Sequence, residues 1–407
     1  MNILLITDSY PPEIRSASHL MQELAEELVK RGHEITVVTS YPQYNLTQDF
    51  RDKVFEEFTV ENNVNVIRIK TLPLHKVNYF IRGISQLALP YIFFLKIKQY
   101  IKNKIDVVIV YSPPLPLAIT GLKVKKRYCA RFILNVQDIF PQNAIDLGIL
   151  KNSLLISFFE RMERKIYDGA DKITAHSENN MRFLIEKKQL DSDNVSILHN
   201  WIDITPYMNE KRTGFFRKEY GLDDKFIFLF AGVIGPSQGL DLIINAARKV
   251  REFENIVFLL VGDGTEKNNL IEMAESFSLT NVLFKPFVSK EEYPKLVKDA
   301  DAGIVCLSNK NKTPVVPGKI LGYMAASIPV VAFLNKESDG HIIIEDAKCG
   351  YSSASDDYKK AAEIITKIYR ERGTLRTYGE NGFKYVSSHF AKNICIDNLE
   401  KLFLKGG

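Results

Sequence analysis

A chain of 407 residues with 45% hydrophobic and 25% charged side chains has the make-up of an ordinary globular protein. It is long enough for two domains with full cores, and that balance excludes a largely disordered or fibrous chain. The formal net charge is +5, and the four cysteines (Cys129, Cys306, Cys349 and Cys395) form no CxxC pair. The expectation is a reduced cytosolic chain without a disulfide framework or structural metal.

The first residues, Met1-Asn-Ile-Leu-Leu-Ile-Thr-Asp8, predict a strand. They lack the basic start and cleavage site of a signal peptide. From His19 to Arg31 the apolar positions Leu20, Leu24, Ala25 and Leu28 fall at helical spacing, and Gly32 is the expected stop. Strands are predicted at Glu34 to Thr39, Asp106 to Tyr111, Phe132 to Val136, Lys172 to His176 and Val195 to Leu198, with a helix at Leu154 to Tyr167. The alternation then restarts. Strands are predicted at Phe226 to Ala231, Val257 to Val261, Val282 to Lys285, Gly303 to Cys306 and Pro329 to Ala332. Helices are predicted at Asp241 to Arg251, Glu266 to Phe277, Glu291 to Asp299 and Lys319 to Ala326. This pattern predicts an α/β chain of two doubly wound, Rossmann-like domains. Their expected spans are 1–203 and 204–384, with a C-terminal helix over 385–407 packing back on the first domain.

Between Asn62 and Arg131 there are thirteen Lys or Arg and one acid, Asp106, so this stretch carries +12 and the rest of the chain −7. Such concentration points to an anionic partner rather than a set of solvated helix faces. Tyr79 to Ile101 is interrupted by Arg82, Gln86 and Pro90. It is therefore a poor bilayer span, which needs about 20 mostly apolar residues. Aromatics beside lysines suit an interfacial helix, and the alternative is a core helix of the first domain.

The stretch Thr313-Pro-Val-Val-Pro-Gly-Lys-Ile-Leu-Gly-Tyr-Met-Ala-Ala-Ser-Ile-Pro-Val-Val-Ala332 carries the strongest chemical signal. Pro317 suits a helix start, whose free N–H groups and positive dipole end favour an anion. Lys319 in that first turn opposes the dipole, and a bound diphosphate accounts for it where a solvated lysine does not. Amides over Val315, Val316, Pro317 and Gly318 would assist, Pro317 contributing only its fixed geometry. The loop Gly232-Val-Ile-Gly-Pro-Ser-Gln-Gly239 offers Gly235, Ser237 and Gln238 at another helix start, and Val261-Gly262-Asp263-Gly264 is a tight turn after a strand. Asp138 follows a first-domain strand, where it either orients an acceptor hydroxyl or caps the turn before Ile139-Phe-Pro141. Arg15, Ser16 and His19 lie on the first loop and helix start. They are candidates for phosphate or acceptor contact, with an N-cap at Ser16 or Ser18 as the alternative. Asp191-Ser-Asp193 sits in a polar turn, and no metal site is expected from it.

Taken together, several segments resemble family-four glycosyltransferases of the GT-B fold. They are Ser9-Tyr-Pro-Pro12, Arg31-Gly-His-Glu-Ile-Thr-Val-Val-Thr39, His199-Asn-Trp-Ile-Asp203, Gly239-Leu-Asp-Leu-Ile243, Val261-Gly-Asp-Gly264, Phe284-Lys-Pro-Phe-Val-Ser-Lys-Glu-Glu292 and Met324-Ala-Ala-Ser-Ile-Pro-Val-Val-Ala332. Asp138-Ile-Phe-Pro141 and Pro317-Gly-Lys319 are similar to the bacterial capsule, O-antigen and exopolysaccharide branch, where amino-sugar donors are common. The resemblance implies two Rossmann-like domains facing across a cleft, with donor contacts at Phe287 and Val288 through the backbone, the phenylalanine ring lying in the core. The family's two donor glutamates correspond here to Pro314 and Gly322, its basic pair to Val233 and Gln238, and its first-loop glycine pair to Ser16 and Ala17. Glu345 is more readily an exposed helix acid than their substitute.

The expected function is transfer of a sugar, an N-acetylated amino sugar by resemblance, from a UDP-sugar to a lipid-linked saccharide. Retention of configuration is implied by the family, and the basic stretch with its interfacial helix gives the inner face of the cell membrane as the expected location. Asp138 and Lys319 are the expected catalytic groups. No cofactor, metal or nucleic acid is expected. The rivals are a GT-B-like UDP-sugar epimerase and a degenerate, non-catalytic partner subunit.

Overall fold

The computed structural model describes residues 1–43, 46, 50, 53–72, 79–146, 148–309 and 314–404, the side chains of 79–82 excepted. The chain forms two compact units, Met1–Asn200 with Cys395–Gly407, and Trp201–Ile394. The second division falls inside the last helix, Lys392–Glu400.

The first unit is built on a sheet of β1 (Asn2–Ile6), β2 (Glu34–Ser40), β3 (Phe58–Glu61), β4 (Val64–Ile69), β5 (Val107–Ser112), β6 (Arg131–Val136), β7 (Lys172–Ala175) and β8 (Val195–Ile197). Their spatial order is β3-β4-β2-β1-β5-β6-β7-β8. All neighbours pair in parallel except β3 with β4. Every residue of β5 is buried, as expected where helices cover both faces of a parallel sheet. The order turns at β1 and β5, so the switch point lies between their carboxyl ends. The sequence pattern missed β3 and β4. β3 is an edge strand with alternating exposure, so it lacks the continuous apolar run that marks the central strands. The helix Lys392–Glu400 ends in this unit, where Asp397 and Glu400 bind Arg31 at 2.5 Å each.

The second unit carries β9 (Phe226–Ala231), β10 (Ile256–Val261), β11 (Val282–Lys285), β12 (Ala302–Cys306), β13 (Val330–Leu334) and β14 (Gly350–Ala354). The order is β11-β10-β9-β12-β13-β14, all parallel. Its switch point lies between β9 and β12. Two apolar layers flank the sheet. One contains Tyr323, Met324 and Val330, and the other Phe228, Phe258 and Phe333. The helix predicted from Lys319 runs over Gly318–Ala325, with Ile320 to Ala325 buried. Asp299 fastens the entry to this unit by accepting backbone N–H bonds from Thr213, Gly214 and Phe216 at 3.1, 2.7 and 2.9 Å.

The basic stretch is less one-sided in space than in sequence. Arg68 is buried and bound to Glu61, Lys96 to Glu57, and Lys125 to Asp171. These acids lie outside the counted window, so a one-dimensional count overstated the charge. Lys98, Lys102, Lys126 and Arg127 remain exposed. Lys76 and the side chain of Arg82 lie outside the described residues. The helix Tyr79–Tyr100 presents Ile84, Tyr91 and Leu95 to solvent, each at least half exposed. Spacings of seven and four place them on one face. Lys123 of the neighbouring helix Ala118–Tyr128 lies 3.7 Å from the Tyr91 ring centre. No helix among the described residues is long and apolar enough to cross a membrane.

Candidate functional site

The carboxyl ends of β9, β10, β11 and β12 bring most of the donor residues expected from the sequence onto one edge of the second unit. The loop after β9 lies against the turn after β10. Gly232 N–H donates to Val261 O at 2.9 Å and Ile234 N–H to Asp263 O at 2.8 Å. Gly262 adopts φ +151°. A Cβ there would lie 1.9 Å from Gly232 O, so only glycine permits this approach. Gly264 repeats the contact against Ile234 O. Gly262 N–H also reaches Lys285 O at 2.9 Å, bringing the end of β11 alongside. On the other side Ser308 N–H, after β12, donates to Ser237 O at 2.9 Å. Gly235, Ser237, Gln238, Gly262, Asp263 and Gly264 therefore belong to one set of interlocked loops.

Lys319 enters this set from the helix Gly318–Ala325. Pro317 stands at the N-cap, and no side chain caps the first turn. The Lys319 ammonium donates to Gln238 Oε1 at 2.9 Å and lies 4.9 Å from the Phe230 ring centre. Gly232 leaves room for it, since a Cβ there would lie 2.7 Å from Lys319 Cε. No carboxylate among the described residues pairs with it. Burial lowers its pKa from the ordinary lysine value to about 8. A partly buried cation held by a neutral amide beside uncapped helix N–H groups is a site prepared for an anion. The position where the sequence lacks a basic residue, Gln238, instead aims the lysine that is present. Thr313 lies outside the described residues.

Val315 and Val316 are held by the loop after β13, because Ser338 Oγ donates to Val315 O at 2.6 Å and accepts from Gly340 N–H at 3.2 Å. Ser338→Ala is expected to cost about 1 kcal/mol of stability by the ordinary worth of such bonds, measured as a lower urea midpoint with unchanged slope. Phe287 corrects an expectation. The residue is 53% exposed rather than part of the core, because β11 is the sheet edge and the chain leaves it into solvent. Val288 does pack on the apolar layer. Glu345 is exposed on its helix, as expected.

The first-unit candidates gather at the carboxyl ends of β1, β5 and β6. Arg15 binds Asp8 at 3.2 Å and lies 3.6 Å from Glu13. Two carboxylates thus already neutralise the arginine expected to meet phosphate or acceptor. Ser16 is the first residue of the helix Ser16–Lys30 and is exposed, and the N-cap is Arg15 without a side-chain bond. Ser18 turns inward to share a hydrogen bond with Ser9 Oγ. The capping alternative for either serine is therefore overturned, since the helix starts three residues before the periodicity becomes visible. His19 is exposed on the same helix.

Asp138 follows β6 with an exposed side chain, and partial desolvation raises its carboxyl pKa above the usual value. The N–H of Phe140 reaches the Asp138 carbonyl at 3.1 Å, not its carboxylate, so the side chain does not make the turn cap that was the alternative to an acceptor contact. Tyr111 at the end of β5 is buried, and its phenol is raised by burial and then by the charges of Asp138 and Asp8. Asp8 was missed in the sequence. Its Oδ1 is buried without a partner, and burial raises its pKa against the opposing pull of Arg15. The signal was available, because an acid two residues past the first strand stands at the switch point. Among the described residues no group of three or more His, Cys, Asp or Glu is placed to hold a metal ion.

Two parallel-sheet units, the second with an anion-ready lysine at its switch point, define a GT-B-fold glycosyltransferase. Residues 17–205 match the Glycosyltransferase Family 4 model and residues 213–385 match Glycosyl transferases group 1. The chain belongs to the family-four glycosyltransferases and is a glycosyltransferase enzyme. It is 27% identical over 334 residues to WcaI of Escherichia coli (strain K12), a protein named for a glycosyl transferase of colanic acid biosynthesis, covering 80% of this chain and 81% of that one. Sucrose-phosphate synthase from Thermosynechococcus elongatus superposes with a TM-score of 0.76 at 14% identity, covering 99% of this chain and 98% of that one. The Anabaena protein HepE, solved in complex with UDP, gives 0.73 at 16% identity, covering 98% and 99%.

Proposed function

We propose that this enzyme transfers a sugar from a UDP-sugar to a lipid-linked saccharide in polysaccharide synthesis at an anionic membrane surface. The donor is an N-acetylated amino sugar and configuration is retained, on the sequence resemblance. The observation that carries the reading is Lys319, a partly buried ammonium with no carboxylate partner among the described residues at an uncapped helix start. A diphosphate supplies the missing negative charge. As the glycosidic bond breaks, the leaving diphosphate gains charge, and Lys319 with the helix amides stabilises it. The WcaI relationship supports polysaccharide synthesis, and HepE's complex supports UDP as the nucleotide. The exposed apolar stripe of the helix Tyr79–Tyr100, with Lys98, Lys102, Lys126 and Arg127 exposed on it and on nearby elements, supports a membrane-borne acceptor.

Calorimetric titration with UDP and a panel of UDP-sugars tests the donor reading directly, and absence of UDP binding overturns it. Catalysis is expected to proceed without a divalent cation, since the diphosphate charge is met by Lys319 and backbone amides. Turnover with a chelator present should match turnover without it. Activity lost to chelator and restored by magnesium or manganese would assign that charge to a metal instead.

A further inference from the structure

We propose that the start of the helix Ser153–Gly169 inserts into the lipid bilayer, so that the membrane meets the first unit at the carboxyl edge of its sheet, beside Asp138. The assignment rests on the reading that a membrane carries the acceptor. It adds a second helix and an orientation to the surface around Tyr79–Tyr100.

Leu154 is 80% exposed, and Ile149, Leu155 and Phe158 are each close to half exposed. Four large apolar side chains within ten positions make a patch of the kind that marks an interaction surface. The sheet does not need them, since the helix packs inward through Glu163, Ile166 and Tyr167. Leu154, Phe158, Arg161 and Lys165 follow one another at spacings of four, three and four, so they share one outward stripe. Its first half is apolar and its second half cationic. Arg164, on the flank, is already held by Asp168 at 3.1 Å. A bilayer with anionic headgroups fits this profile. It takes up the apolar tip and leaves the long cationic side chains at the level of the phosphates.

The helix Tyr79–Tyr100 has the same polarity, with Ile84, Tyr91 and Leu95 exposed ahead of Lys98 and Lys102. The two helices also run the same way. Asp171, just past the first, donates its N–H to Phe132 O and accepts from Phe132 N–H, each at 2.8 Å, at the start of β6. Asp106, just past the second, donates its N–H to Asn2 O at 2.8 Å, at the start of β1. Both helices therefore end at the amino edge of the sheet and begin at its carboxyl edge. The helix Ala118–Tyr128 links them, with Lys123 over the Tyr91 ring and Lys125 on Asp171 at 2.7 Å. Cations late in a helix also suit its dipole, but the dipole gives large apolar side chains no reason to stand in water at the start. The inserted edge is the one that carries Asp138. The Phe158 and Phe159 ring centres are 5.3 Å apart, and Phe159 lies 4.9 Å from Phe140, two residues past Asp138. A sugar on a lipid carrier stands just outside the bilayer, and an edge turned to the membrane brings Asp138 to that level.

The test uses the full chain and vesicles of phosphatidylglycerol and phosphatidylcholine with brominated acyl chains, which quench indole fluorescence. The native Trp201 is buried and supplies the baseline. On vesicle binding, the added emission of Leu154→Trp should shift to the blue and be quenched, and that of Lys165→Trp should be quenched far less. Leu154→Ser with Phe158→Ser should weaken vesicle binding by roughly tenfold or more even at high salt, the scale of two inserted apolar side chains. Its urea midpoint and UDP affinity should not change, whereas a packing role would lower the midpoint. Emission from Leu154→Trp that stays unquenched on bound vesicles overturns the inference, as does equal quenching at the two positions. A wild-type dimer that the double serine variant loses, with vesicle binding unchanged, would give the patch to a second copy and overturn it too. A wild-type protein that binds no anionic vesicle removes the membrane reading itself. That result differs from binding through Tyr79–Tyr100 with Leu154 left in water.

Discussion

Lys319→Ala is expected to weaken UDP and UDP-sugar binding by about 1.5–3 kcal/mol, the worth of a charge-assisted hydrogen bond. The fold should survive, because the lysine's bond to Gln238 is a contact to a neutral, partly exposed amide. The pH dependence identifies the group. With its pKa near 8, the free enzyme's Lys319 loses its proton as pH rises through that value. A diphosphate binds the protonated form, so affinity should be steady below about pH 7.5 and fall by up to tenfold per pH unit above 8. Proton uptake on binding should appear in that window as a buffer-dependent enthalpy, and both signatures should vanish in Lys319→Ala. In the unliganded protein the sign for folding is opposite. A lysine with a depressed folded-state pKa destabilises the fold while charged, and that penalty is relieved as pH rises from about 8 towards the unfolded value. Donor affinity unchanged by the substitution would remove Lys319 from the site.

Binding to anionic vesicles is expected to drop by two orders of magnitude or more when Lys98, Lys102, Lys126 and Arg127 are neutralised together. Each basic residue at such a surface contributes about 1 kcal/mol, fading within a Debye length. The structure selects these four. Lys96 and Lys104 are already paired with Glu57 and Asp106 at 2.7 Å each, and their neutralisation should matter less. Tyr91→Ser with Leu95→Ser should weaken binding even at high salt, since an apolar contribution is not screened. Vesicle co-sedimentation across a salt series separates the two contributions. A protein that ignores anionic vesicles at low salt would deprive the lipid-linked acceptor of its physical support.

Central strands such as Val107–Ser112 and Ile256–Val261 were legible because burial on both faces demands an unbroken apolar run. Phe58–Glu61 was not, because its alternating edge pattern is short and easily mistaken for loop. The start of the helix Gly318–Ala325 was legible from Pro317, within one residue. The true N-cap of Ser16–Lys30 was not, because Arg15 caps it through backbone conformation alone.

By itself the sequence determined the alternation, the two doubly wound units and the lysine at a helix start, all of which depend on neighbours a few positions apart. Only the tertiary structure decided which charges were already spent. Arg15 faces Asp8 and Glu13, Arg68 faces Glu61, Lys125 faces Asp171, and Lys319 faces no acid among the described residues. Electrostatic pairing and hydrogen-bond satisfaction depend on distances of a few ångströms between residues remote in the chain, and one-dimensional periodicity carries no information about them.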